Sequence, residues 1–218
     1  MKNLFLTLAL SLALVGCNKA KEAATAAKNT AANAVDSATQ EVKNAAGLGD
    51  FSKVKSISLT ESTFNWKGTK KVGDSHTGTI KLKAARLNRT PENKLTSAEF
   101  TMDMKSIAVT DIQGKMAEKL RGHLSSADFF KTEEFPTANL VLNKFAGNMA
   151  SGNLTILGKT QPVENIKFAH NDGKITGQLA FDRTKFGIIY GSGNFVKELA
   201  LDKIINDQIT LNFDLKTN

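Results

Sequence analysis

Residues able to do chemistry are few in this chain and poorly spaced for catalysis. The three histidines, His76, His123 and His170, stand far apart, without the short intervals that present ligands to one metal ion. Asp74-Ser75-His76 sets an acid, a nucleophile and a base side by side. A catalytic triad, however, is assembled by geometry across a fold rather than by adjacency, and a polar turn before a strand accounts for the run. Gly191-Ser192-Gly193 offers two glycines of a phosphate loop without the third, and neither a Walker loop nor His-Glu-x-x-His occurs. These absences point to a binding protein, with no catalytic residue, metal or cofactor expected.

The residue with clear covalent chemistry is Cys17, the single cysteine of the 218 residues, which can form no disulfide within the chain. It follows an apolar run from Leu4 to Val15 behind Lys2. That run of about 12 residues is too short for a spanning helix of about 20. Residues 1–16 have the layout of a secretory signal peptide. Leu14-Val15-Gly16-Cys17 resembles the bacterial lipobox, which implies cleavage before Cys17, a diacylglycerol on its sulfur and further acylation such as palmitate. At about 0.8 kcal/mol per buried CH₂, several acyl chains hold a protein on a membrane almost permanently. Asn18 follows in place of the Asp that marks inner-membrane retention. The expected location is therefore the bacterial cell envelope, on the periplasmic face of the outer membrane.

Residues 17–50 read as a spacer. Eleven alanines lie between Ala20 and Ala46, favouring helix, and Ala20, Ala24, Ala27, Ala31, Ala34, Ala38, Val42 and Ala45 repeat as a heptad seam. Gly47 and Gly49 supply a stop. Small alanine knobs bury little surface, so a coiled-coil homodimer and a semi-rigid or flexible single stalk both remain open. Four lysines balance four acids between 18 and 50, so nearly all of the +8 net charge rides on the following domain. In an exported lipoprotein this suits anionic lipid headgroups or solubility better than nucleic acid.

From Phe51 the pattern changes to the alternation of half-buried strands: Phe64 and Trp66; Ile80 and Leu82; Ala98 to Met104; Ala138 to Leu142; Leu154 and Ile156; Leu179 and Phe181; Ile209 to Leu215. With Val163–Phe168, about eight strands occupy 51–218, separated by turn signals such as Asn171-Asp172-Gly173. An all-β antiparallel meander, closed or packed as a sandwich, fits best. One helix interrupts it, Ile112, Met116, Leu120 and Leu124 forming its apolar stripe and Asp111 its N-cap. Closing eight strands leaves an interior that is either filled or wide enough for one small ligand. By inward parity the candidate lining is Phe64, Trp66, Phe100, Met102, Met104, Leu140, Leu142, Leu154, Ile156, Phe181 and Phe213, residues that would serve equally as plain core. Phe129 and Phe130 follow no single period; on a turn after the helix they would close one barrel end or line a pocket mouth.

The order Gly122-His123-Leu124, Ser126-Ala127-Asp128-Phe129-Phe130, Phe135-Pro136 and Gly152-Asn153-Leu154-Thr155-Ile156-Leu157-Gly158-Lys159 resembles the YceI-like family. Ser75-His76-Thr77-Gly78-Thr79, Phe181-Asp182-Arg183-Thr184 and Trp66-Lys67-Gly68 resemble its version with a first-strand tryptophan. The resemblance spans residues 54–217. It implies an extended, lipocalin-like eight-stranded antiparallel β-barrel that binds a polyisoprenoid or similar long-chain lipid in the periplasm. The expected function is a lipid-anchored carrier or sequestering protein; the alternative is an envelope scaffold or stress lipoprotein that binds another envelope protein.

Overall fold

Inward apolar and outward polar side chains alternate along eight strands: β1 (Thr63–Thr69), β2 (Ser75–Arg89), β3 (Leu95–Val109), β4 (Thr137–Ala146), β5 (Met149–Ile156), β6 (Lys159–Asn171), β7 (Lys174–Asp182) and β8 (Gln208–Lys216). The computed structural model describes residues 54–196 and 198–218; the expected signal peptide, Cys17 and the alanine-rich segment lie outside the described residues. Each strand pairs antiparallel with the next, and β1 pairs with β8, so the sheet closes as an up-and-down barrel in sequence order. Closure leaves no unpaired edge and gathers the inward faces into one core.

Bulges reset the parity of the longest strands. In β2, Leu82 pairs with Met102 but Ala84 with Thr101, so the inward series 78, 80, 82 resumes at Ala85 and Leu87. In β3 the series Ala98 to Met104 resumes at Ile107, and in β6 Val163 is followed inward by Ile166. Each extra residue bends its strand and increases the local twist. The β6–β7 hairpin turns on Asp172 (φ 50°) and Gly173 (φ 72°), the left-handed pair that suits two-residue hairpins.

The single α-helix of the described residues, α1 (Gly114–Ser125), packs against β3. Two sequence expectations fail here. Asp111 does not cap the helix: the N-cap position is Gln113, with no side-chain cap. The Asp111 carboxylate is already engaged by His76 and by the Thr77 N–H across the barrel rim. Met116 of the predicted stripe is 66% exposed; Leu120 and Leu124, in the C-terminal turns, face the barrel interior.

Topology gives the barrel two unlike ends. One carries α1, the β1–β2 and β5–β6 turns and the long β7–β8 connection. At the other, Val54 and Ile57 are buried beneath the short hairpins, and Ile57 bridges to Thr217 beside the end of β8.

Candidate functional site

At the helix end the interior is hollow. A cavity of about 230 Å³ is walled by the inward residues nearest that end of each contributing strand: Trp66, Ile80, Met102, Met104, Ile107, Ala138, Leu154, Ile156, Phe181, Ile209 and Leu211. Leu120 and Leu124 of α1, Phe129, Phe130, Ile188 and Ile205 cover it, while Gly68, Thr69, Lys70, Asp74 and His76 lie on its rim. The space is apolar within and polar where it meets solvent, the arrangement expected for a small-molecule pocket.

Six of the residues chosen by parity line this cavity, Trp66, Met102, Met104, Leu154, Ile156 and Phe181, and so do Phe129 and Phe130 from the turn after the helix. Phe64, Phe100, Leu140, Leu142 and Phe213 are equally buried but lie below it, in solid core. The Phe64 ring meets Phe100 at 6.2 Å and Phe213 at 6.3 Å between centroids. Phe213 also fills the space that the missing side chain of Gly177 leaves, its ring 2.1 Å from where a Cβ would stand. Parity reports which face a residue takes and carries no information about its height in the barrel.

Phe129 and Phe130 sit where α1 hands over to β4. Backbone bonds from Phe130 N to Leu124 O (3.0 Å) and Lys131 N to Ser126 O (2.9 Å) fold the segment into overlapping turns. The Phe129 ring lies 6.0 Å from His123 and 5.4 Å from Tyr190. It thus joins the helix end to the β7–β8 connection at the rim of the cavity.

Arg183 was not among the expected residues, yet it organises this end. It is 1% exposed and donates from Nε to Asn206 O, from Nη1 to Ile188 O and Tyr190 O, and from Nη2 to Ile205 O and the Asp207 carboxylate, at 2.8–3.3 Å. Burial pushes the guanidinium pKa down, against the pull of Asp207 and Asp182. A guanidinium has five N–H donors, and five protein acceptors take them. Arg183 therefore positions the connection over the cavity and offers no donor to a ligand. The signal in sequence was its place beside Asp182, which caps the following 3₁₀ turn through Thr184 N at 2.9 Å.

The adjacent triad types prove to be unconnected. His76 Nδ1 lies 2.8 Å from Asp111 Oδ2, His123 Nδ1 lies 3.5 Å from Asp128 Oδ2, and Asp182 holds Thr184. Burial pushes the Asp111 carboxyl up, but hydrogen bonds from Thr77 N, His76 and its own backbone, with the attraction of His76, outweigh this and hold it below its ordinary value. A folded value below the unfolded one contributes stability above about pH 4, lost as pH falls through the folded value. The Asp111→Asn variant is accordingly expected to flatten the loss of thermal stability between about pH 5 and pH 3. Parallel acid limbs for variant and parent in a melting series would show that Asp111 has no such role.

The fold and cavity define a class: a closed eight-stranded antiparallel barrel with an apolar pocket open at one end. More particularly, the chain belongs to the YceI-like domain family, whose model matches residues 30–217. Among solved structures it is similar to Burkholderia cenocepacia BcnA, with TM-score 0.54 and 24% identity over 75% of this chain and 100% of the other. A polyisoprenoid binding domain from Saccharophagus degradans, implicated in plant cell wall breakdown, matches with TM-score 0.52 and 15% identity over 76% of this chain and 100% of that one. At these identities the likeness is one of fold. No match is found among curated proteins.

Proposed function

We propose that this protein is a lipid-binding barrel that carries or sequesters a polyisoprenoid or similar long-chain amphiphile, tethered through Cys17 to the periplasmic face of the outer membrane. The observation that carries the reading is the cavity itself: about 230 Å³ of apolar space, closed below by packed aromatic rings and polar only at its rim. Such a site favours a ligand with an apolar tail and a polar head. Each buried methylene contributes about 0.8 kcal/mol, whereas the pocket wall holds no free polar group to reward a hydrophilic ligand, Arg183 being saturated. Membership of the YceI-like family and the polyisoprenoid-binding description of the Saccharophagus domain support the same chemistry. Cys17 at the end of the leader supports the tether.

Native mass spectrometry of the full chain extracted from membranes in mild detergent tests both parts. The expected spectrum shows a polypeptide beginning at an acylated Cys17, together with a non-covalent lipid released on activation. A protein that emerges empty and takes up no added prenyl phosphate or alkyl phosphate overturns the carrier reading, and an unmodified Cys17 overturns the tether.

A further inference from the structure

We infer that the aromatic floor formed by Phe213, Phe64 and Phe100 sets the length of ligand chain the barrel accepts, at about ten carbons. This rests on the lipid-binding reading and specifies it. On β1, β8 and β3 the cavity lining stops one inward residue short of the packed rings: Trp66 but not Phe64, Leu211 but not Phe213, Met102 but not Phe100. Below the cavity the rings meet one another, and Phe213 is seated in the side-chain space of Gly177, so a chain entering from the helix end meets packed aromatic carbon. An apolar cavity of about 150 Å³ holds the six carbons of benzene. In proportion, the 230 Å³ here holds roughly nine or ten carbons, two isoprene units. The ligand class is thus an amphiphile that inserts a medium-length terminal segment. Any further length of a polyprenyl or acyl chain stays outside the barrel and adds little to affinity.

The chain reports on itself, because its one tryptophan, Trp66, lines the cavity. Titration of the full chain, in a sterol detergent too broad to enter, with monoalkyl phosphates of about 6 to 20 carbons follows ligand entry by Trp66 fluorescence. Affinity is expected to rise about fourfold per added carbon, then level off near ten carbons. Phe213→Ala, which opens the floor, moves the plateau to longer chains by about four to six carbons; Ala138→Phe, which fills the cavity from β4, moves it to shorter ones. Affinity that keeps rising beyond about 14 carbons in the parent, or a plateau unmoved in both folded variants, overturns the inference while leaving a lipid-binding barrel. Absence of binding at every length overturns the lipid-binding reading itself.

Discussion

Replacing Arg183 with methionine is expected to destabilise the protein by about 3 to 5 kcal/mol, a large share of the roughly 5 to 15 kcal/mol that holds a domain folded. The substitution keeps the bulk and removes the donors. Four backbone carbonyls, of Asn206, Ile188, Tyr190 and Ile205, lose the N–H groups that satisfy them, and among the described residues Asp207 keeps Asn194, at 2.7 Å, as its side-chain partner. Unsatisfied acceptors in a water-poor site cost about 1 to 3 kcal/mol each when nothing replaces the bond, and relaxation of the connection recovers part of this. A chain of this size loses about 2 to 4 °C in melting temperature per kcal/mol. The measurable result is a fall of roughly 10 °C or more, with hydrogen exchange accelerating first in residues 187–206. Arg183→Lys keeps the charge but presents three donors from one atom where five are used in a fork, and is expected to recover only a minor part. A methionine variant melting within about 2 °C of the parent would show that the guanidinium is dispensable.

Gly78→Ala should cost nearly as much, about 3 kcal/mol or more, by overpacking a place already full. A Cβ at Gly78 would stand 1.8 Å from Ala108 O and 2.5 Å from Cζ2 of Trp66. The indole lies across the glycine and donates from Nε1 to the same Ala108 O at 3.2 Å, so the missing side chain creates both the seat of Trp66 and its hydrogen bond. The clash with a backbone oxygen cannot be relieved by a rotamer change and must open the β2–β3 ladder near Val109. Chemical denaturation of Gly78→Ala, of Trp66→Leu and of the double variant decides the cause. If the backbone contact governs, removing the indole rescues little. Full recovery to the level of Trp66→Leu would instead assign the whole penalty to the ring.

Arg183 and Gly78 also show how far the candidate site was readable before the fold was known. Both stood in stretches that resemble the YceI-like family, yet neither declared its task. An arginine beside an aspartate in Phe181-Asp182-Arg183-Thr184 is ordinary in sequence. Its five acceptors come from positions 188 to 207, which local pattern cannot bring together. Likewise Leu82-Lys83-Ala84-Ala85 reads as a strand that fades, because the bulge that returns Ala85 to the inner face is created by pairing with β3. Asp111 looked like a helix cap because its neighbours in sequence are helical, while its partners His76 and Thr77 lie on β2.

What the sequence determined by itself was periodicity and its interruptions: eight alternating segments, their inner faces, the Asn171-Asp172-Gly173 hairpin and the position of the one α-helix of the described residues. These follow from local physics, since side chains alternate across a strand and particular turns demand particular residues. Tertiary structure alone decided the height of each inward residue. Closure with β1 on β8 brings the Phe64 ring against Phe213 and Phe100 and leaves Trp66, Met102 and Leu211 to line the cavity. Whether an inward aromatic is floor or wall depends on strand register and on what a facing glycine omits, and both are properties of pairs of strands that no single strand contains.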